Sequence, residues 1–299
     1  MPRASVDTGM ELEYDTFGSP TDPALLLVMG FTAQMTAWPD AFCAGLASGG
    51  FHVIRFDNRD CGLSSKLDGQ RVDLGPVLMA AMADQPAPEV PYTLSDMAAD
   101  AVGLLRHLGI DRAHVVGASM GGMIAQTIAI EHRDACLSLT SIMSQPGDFE
   151  VGQPTPEAAQ VILRPPVATR EEYIDSSVGW MTWHSKKYRD ADATRRVAAE
   201  NFDRSFYPEG AERQMAAIYA SGRRSLKLTE LRLPTLVVHG RDDTLIDPSG
   251  GFRTAELIDG AHLLLVADMG HDLPEPLWPL LTDAIVSHAR HAQRDAAHG

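Results

Sequence analysis

Cysteine is scarce in this chain of 299 residues. Its three thiols, Cys43, Cys61 and Cys136, are odd in number and form no C-x-x-C pair, which argues against a disulfide framework and a thiolate metal site. A reducing cytoplasm is the compartment such thiols fit. Positive charge is short as well: 25 Lys and Arg stand against 40 Asp and Glu, a formal net charge of -15, with no Lys/Arg block. A field of that sign repels a phosphate backbone, so nucleic acid is not expected as a partner, and the acidity reads as solubility. No stretch approaches the ~18 uninterrupted apolar residues of a membrane span. The segment from Met1 to Thr16 carries acids and no apolar run, so it does not read as a signal peptide. There is no internal repeat.

What is present is an ordinary globular composition, 44% hydrophobic and 22% charged, which favours neither disorder nor a fibre. Short aliphatic or β-branched runs alternate with helix-length amphipathic segments. That is the pattern of an α/β fold, a mostly parallel twisted sheet flanked by helices. The expected central strands are Ala24 to Met29, Phe51 to Phe56, Ala113 to Val116, Leu137 to Met143, Thr235 to His239 and His262 to Val266. Their near-continuous apolarity predicts burial on both faces. Met10 to Phe17 alternates more weakly and reads as an antiparallel edge strand. Helices are expected over Trp38 to Ser48, Leu94 to Leu108, Gly121 to His132 and Leu277 to Ala292.

The alternation fails from about Gln145 to Thr229, where Pro-rich turns separate helical pieces such as Arg170 to Ser185 and Glu209 to Tyr219. A helical insertion in one sheet domain accounts for this better than a second domain. The expected division is a core of 1–146 and 229–299 with a helical cap over 147–228. Leu74 to Pro91 reads as a long loop covering part of a cleft.

Gly117-Ala118-Ser119-Met120-Gly121 is a G-x-S-x-G sequence directly after an apolar strand and directly before a helical segment. A strand-to-helix turn this sharp strains its central residue and projects Ser119 Oγ above the sheet, while flanking glycines leave no Cβ to collide with backbone. The helix start aims free N–H groups at developing negative charge. A serine hydroxyl is a weak nucleophile and needs an imidazole, which in turn needs a carboxylate to fix its tautomer. Of the eleven histidines, His271 follows a strand and a Met269-Gly270 turn that can present it above the same sheet edge. His288 and His291 stand three apart on the terminal helix, where a solvated face is the expected role and a metal site is not. Asp242, Asp243 and Asp247 cluster at the carboxyl end of the strand before them, where sites on open parallel sheets lie. Asp247 also suits a turn with Pro248.

Five stretches, VMGFTAQMTAW, RFDNRDCGLSS, VVGASMGGMIAQ, LVVHGRDDTLIDP and DMGHDLP, together resemble the α/β-hydrolase family, and within it the branch of aclacinomycin methylesterase and the mycobacterial Lip-type esterases. The resemblance covers most of 10–146 and 230–290 and is weak between them. It implies the α/β-hydrolase fold with an inserted helical cap. It also implies a serine esterase that cleaves a small-molecule carboxylic ester through an acyl-enzyme, without metal or organic cofactor. The family's H-G-x-x-D pattern falls on His239-Gly240-Arg241-Asp242-Asp243 and selects Asp243 as the acid; its Gly-His pair falls on Gly270-His271. Its turn after the early strand falls on Met29-Gly30-Phe31, so the backbone N–H groups of Phe31 and Met120 are the implied oxyanion donors. Asp57 to Ser64 matches the family's D-x-R-x-x-G-x-S stretch, where turn architecture is expected. Lactonase, thioesterase and perhydrolase chemistry would use the same three side chains, and a non-catalytic receptor on this fold is the more distant alternative.

Trp180, Met181, Trp183, Met215 and Tyr219 in the insertion either line a substrate pocket under the cap or form the cap's own core, and their helical spacing favours the second. The sequence leaves room for a homodimer without specifying one.

Overall fold

The computed structural model describes residues 2–165 and 167–298, with side chains through Arg294. Its strands are β1 (Arg3–Ser5), β2 (Glu11–Phe17), β3 (Ala24–Val28), β4 (His52–Phe56), β5 (Ala113–Ala118), β6 (Cys136–Ile142), β7 (Thr235–Gly240) and β8 (His262–Val266). They form one sheet in the order β1-β2-β4-β3-β5-β6-β7-β8. The pairs β1/β2 and β2/β4 are antiparallel and all later pairs are parallel. Helices α1 (Asp40–Ser48), α2 (Leu74–Met82), α3 (Leu94–His107) and α4 (Met120–Glu131) lie between the earlier strands. Between β6 and β7 come α5 (Pro156–Ile162), α6 (Arg170–Ser177), α7 (Ala191–Arg204), α8 (Glu209–Ala220) and α9 (Ser225–Thr229). The fold closes with α10 (Ser249–Leu257) and α11 (Trp278–His298).

Successive strand side chains point to opposite faces, so the continuous apolar runs feed two cores. On one face Leu26, Val28, Ile54 and Val115 meet Met97, Ala101 and Leu104 of α3 and Ile124 and Ile128 of α4. On the other, Leu25, Leu27, Val53 and Val116 meet Phe42 and Leu46 of α1 and Leu281 and Ile285 of α11. Strands β3, β4, β5 and β7 are buried along their whole length, as their composition predicts.

Four expectations are corrected. β8 is not buried on both faces: Leu263 and Leu265 are exposed, because β8 is the last strand of the sheet and has one neighbour. β2 is not the edge, since β1 pairs outside it. Three residues are too few to carry a strand signal, yet Ala4 is fully buried there. The segment read as a loop from Leu74 holds α2, whose Asp73 side chain caps the Gly75 N–H and whose Pro76 sits in the first turn, where a missing N–H costs nothing. On α11, His288 is buried, and burial pulls its imidazole down to about 4, while His291 is exposed as expected. The helix turns His288 toward β6, which it packs against.

Candidate active site

β5 runs into α4 through Ser119, which adopts φ 58°, ψ −123°. A non-glycine residue in that region costs on the order of 1–3 kcal/mol, so its surroundings must fix it. They do so on both sides: Ser119 N–H donates to Ile142 O at 2.9 Å, and Ser119 O accepts from Gly122 N–H at 2.9 Å and Ser144 Oγ at 2.8 Å. The flanking glycines are required by close approach. A Cβ on Gly117 would stand 2.0 Å from Gly121 O, and one on Gly121 would stand 2.1 Å from Val28 O.

His271 Nε2 lies 2.9 Å from Ser119 Oγ, and its Nδ1 lies 2.7 Å from Asp243 Oδ2. A carboxylate only accepts, so Nδ1 carries the proton and Nε2 is left to accept from the serine hydroxyl. Asp243 has no exposed side-chain surface. Its Oδ1 accepts from the N–H groups of Leu245 and Ile246, each at 2.9 Å, and His239 Nε2 stands 3.4 Å from Oδ2. Burial pushes this carboxyl up, but the charge of His271 and hydrogen bonds from His239 and His271 outweigh it and hold the group down to about 2. Of the other two candidates, Asp242 is turned to Arg241 and Asp247 accepts from Ser249 N–H at 2.9 Å in the expected turn with Pro248.

His271 sits on a loop that the chain between α6 and α7 holds. His271 N–H donates to Trp183 O at 2.7 Å, Gly270 N–H to Ser185 Oγ at 2.9 Å, and Ser185 N–H to Asp272 Oδ1 at 3.0 Å, with Ser185 Oγ also bonded to that carboxylate. A Cβ on Gly270 would reach 2.3 Å from Trp183 O, so the pairing depends on glycine there.

On the other side of Ser119, Gly30 approaches so closely that a Cβ on it would stand 2.9 Å from the serine Cβ. Phe31 follows Gly30 and Met120 follows Ser119 in the chain, and neither N–H finds an acceptor among the described residues. Asp57 to Ser64 builds the floor of this turn. Asp57 accepts from Met35 and Leu63 N–H at 2.7 and 2.8 Å, and Asn58 Nδ2 donates to Met29 O at 2.8 Å.

The five aromatic and Met residues singled out in the insertion do not act as one group. Trp180 packs edge-on to Tyr173 at 5.8 Å, in a cluster with Phe202 and Phe206, so it belongs to the insertion's own apolar centre. Tyr219 lines a cavity of about 320 Å³ with Met123, Gln145 and Arg224. Met181, Trp183 and Met215 are half-buried.

Sequence reasoning missed the polar contacts that fasten the insertion down. Arg213 grips Asp60 with two bonds of 2.8 and 3.0 Å, Arg204 pairs with Asp57 at 2.8 Å, and Gln214 reaches Thr32 and Arg59. No local signal marks them, because the partners lie more than a hundred residues away. Adjacency to named residues did offer Asp272, next to His271, and Thr32, next to Phe31, while Asp57, Arg59 and Asp60 lie in the D-x-R-x-x-G-x-S stretch. Among the described residues no group of three or more His, Cys, Asp or Glu gathers that would hold a metal ion. Nor is any helix long and apolar enough to cross a membrane.

A family model described as alpha/beta hydrolase fold matches residues 23–275. This chain belongs to the α/β-hydrolase fold family. Within that family it is similar to rhodomycin D methylesterase DauP of Streptomyces sp. (strain C5), 27% identical with 92% of this chain and 93% of that protein covered. It is likewise similar to rhodomycin D methylesterase DnrP of Streptomyces peucetius, 28% identical with the same coverage, 92% and 93%. The enol-lactonase from Burkholderia xenovorans LB400 superposes with a TM-score of 0.73 at 23% identity, over 96% of this chain and 99% of that one, a likeness of fold.

Proposed function

We propose that this α/β-hydrolase cleaves the carboxylic ester of a small molecule through an acyl-enzyme, with Ser119 as nucleophile, His271 as base and Asp243 as acid. The observation that carries the reading is the continuous chain of short hydrogen bonds from a strained serine through imidazole to a buried carboxylate. As Ser119 Oγ attacks the ester carbonyl, His271 Nε2 takes its proton, and Asp243 stabilises the imidazolium without itself being protonated. The amides of Phe31 and Met120 donate to the oxyanion that forms. His271 then gives the proton to the leaving alcohol, and water, deprotonated by the same imidazole, releases the acid.

Residues 147–228 serve as a cap over this site in the same reading, with Trp183, Met181, Met215 and Tyr219 facing the substrate side and Trp180 in the cap's centre. The two methylesterases similar to this chain support an ester as the substrate. An aspartate in place of Ser119, as a dehalogenase or epoxide hydrolase of this fold would need, is absent.

The test compares the wild type with Ser119→Ala on a short p-nitrophenyl ester and on a fluorophosphonate probe. Wild type turns over and labels, and the variant does neither, with a rate loss of at least ~10³-fold. A wild-type protein that neither hydrolyses nor labels refutes the reading. Specificity constants for esters, lactones and thioesters of matched chain length then rank the ester first; a dominant preference for either rival reassigns the substrate class.

A further inference from the structure

The turn that carries the Phe31 amide is strained at its next residue. Thr32 has φ 55°, a left-handed conformation that a β-branched side chain disfavours. Such a residue reverts to the ordinary region unless something outside the turn holds it. The bonds from within the core are weak: Ala33 N–H to Gly30 O is 3.3 Å, and Cys61 Sγ reaches Thr32 O at 3.3 Å. The strong one comes from α8. Gln214 Oε1 accepts from Thr32 N–H at 2.8 Å, and Gln214 Nε2 donates to Arg59 O at 3.0 Å.

Gln214 is fully buried, so both ends of its amide meet protein. It has little freedom to move, because its neighbour Arg213 is clamped to Asp60 and Gly210 is seated against the Asp60 backbone, where a Cβ would stand 2.3 Å from the carbonyl oxygen. Two residues further along the turn, Gln34 is held in the same way: its Nε2 donates to Asn201 O and Ser205 O at 2.6 and 3.0 Å, and Arg204 donates to its Oε1. Two helices of the insertion thus grip the turn, α8 at its strained residue and the end of α7 two residues further on.

We infer that Gln214 is a positioning residue for the oxyanion site: it holds the Phe31–Thr32 peptide in its left-handed turn and thereby aims the Phe31 N–H at the developing charge. The inference rests on the esterase reading. A donor misaimed by about 1 Å loses most of its value in the transition state while substrate binding in the ground state changes little.

The experiment measures kcat and KM on a p-nitrophenyl ester, and the inhibition constant of a trifluoromethyl ketone, whose hydrate-free adduct with Ser119 places an oxyanion at the same spot. Gln214→Met lowers kcat by about 10- to 100-fold with KM within threefold, and weakens the ketone by a matching factor. Thr32→Gly added to Gln214→Met recovers about tenfold of that loss, because glycine takes φ 55° without strain. A purely structural role for Gln214 predicts no such rescue. A folded Gln214→Met protein with wild-type kcat and ketone affinity overturns the inference while leaving the hydrolase reading intact; a wild type inert to ester and fluorophosphonate overturns that reading instead. Should the methionine variant not fold, Gln214→Asn carries the test, since it keeps an uncharged amide shortened by one carbon and so weakens the bonds to Thr32 N–H and Arg59 O without burying a charge. It lowers kcat by about three- to tenfold with KM little changed, and a folded asparagine variant with wild-type kcat and ketone affinity overturns the inference.

Discussion

A carboxylate with no exposed side-chain surface, such as Asp243, stays ionised only if its neighbours return what burial takes away. Two backbone N–H groups and two imidazoles do that here. Burial acts to raise the carboxyl, the neighbours prevail, and the group ends at about 2 against an ordinary 3.8. A folded-state value below the unfolded one means stability that is complete above about pH 4 and is lost as pH falls toward 2. A shift of that size corresponds to about 2 kcal/mol. Urea unfolding followed from pH 5 to pH 2 is expected to show the wild type losing about that much more stability than Asp243→Asn. Parallel curves for the two proteins would mean that Asp243 is not the group responsible. At this scale the sequence was most informative around Ser119, where strand, glycines, serine and helix are contiguous. Residue patterns alone left Asp242 and Asp243 open and the H-G-x-x-D resemblance selected Asp243; in the structure Asp243 faces His271 while Asp242 turns to Arg241.

Among the elements, α8 has the largest consequence for its length. Arg213 and Asp60 form a two-bond ion pair with side chains 4% and 0% exposed. Removing one partner of such a pair leaves a charge buried alone, typically at a cost of about 3–5 kcal/mol. Arg213→Met is expected to lose that much stability in a denaturant titration, and Asp60→Asn added to it to restore part, since no charge then remains uncompensated. A loss below about 1 kcal/mol for the single variant would show that water reaches Asp60. The sequence located α8 to within a residue of its end, expected helices across 147–228 without giving bounds for α5, α7 or α9, gave none for α10, and read α2 as a loop. Of these, α2 is apolar with Gly75 and Pro76 in its first turn, so local signals read as a loop; its cap on Asp73 and its packing on α8 make it a helix.

For the whole molecule, the ion pairs of Arg204 and Arg213 and the docking of Ser185 on the His271 loop fasten the insertion to the sheet domain. Native-state hydrogen exchange is therefore expected to give the slowest amides of α7 and α8 the same opening free energy as those of β5 and β6. An opening of α7 and α8 at several kcal/mol less would establish them as a separately mobile lid. What the sequence determined by itself was everything carried by neighbours in the chain: the alternation that makes a parallel sheet with two cores, and the strained serine turn. What only the tertiary structure decided was everything carried by pairs distant in sequence. Which strand lies at the edge, which aspartate meets the imidazole, and which glutamine of the insertion reaches the Thr32 amide across 182 residues all depend on where the folded chain brings its parts together. Burial and hydrogen-bond satisfaction are properties of that assembled neighbourhood, and no local pattern encodes them.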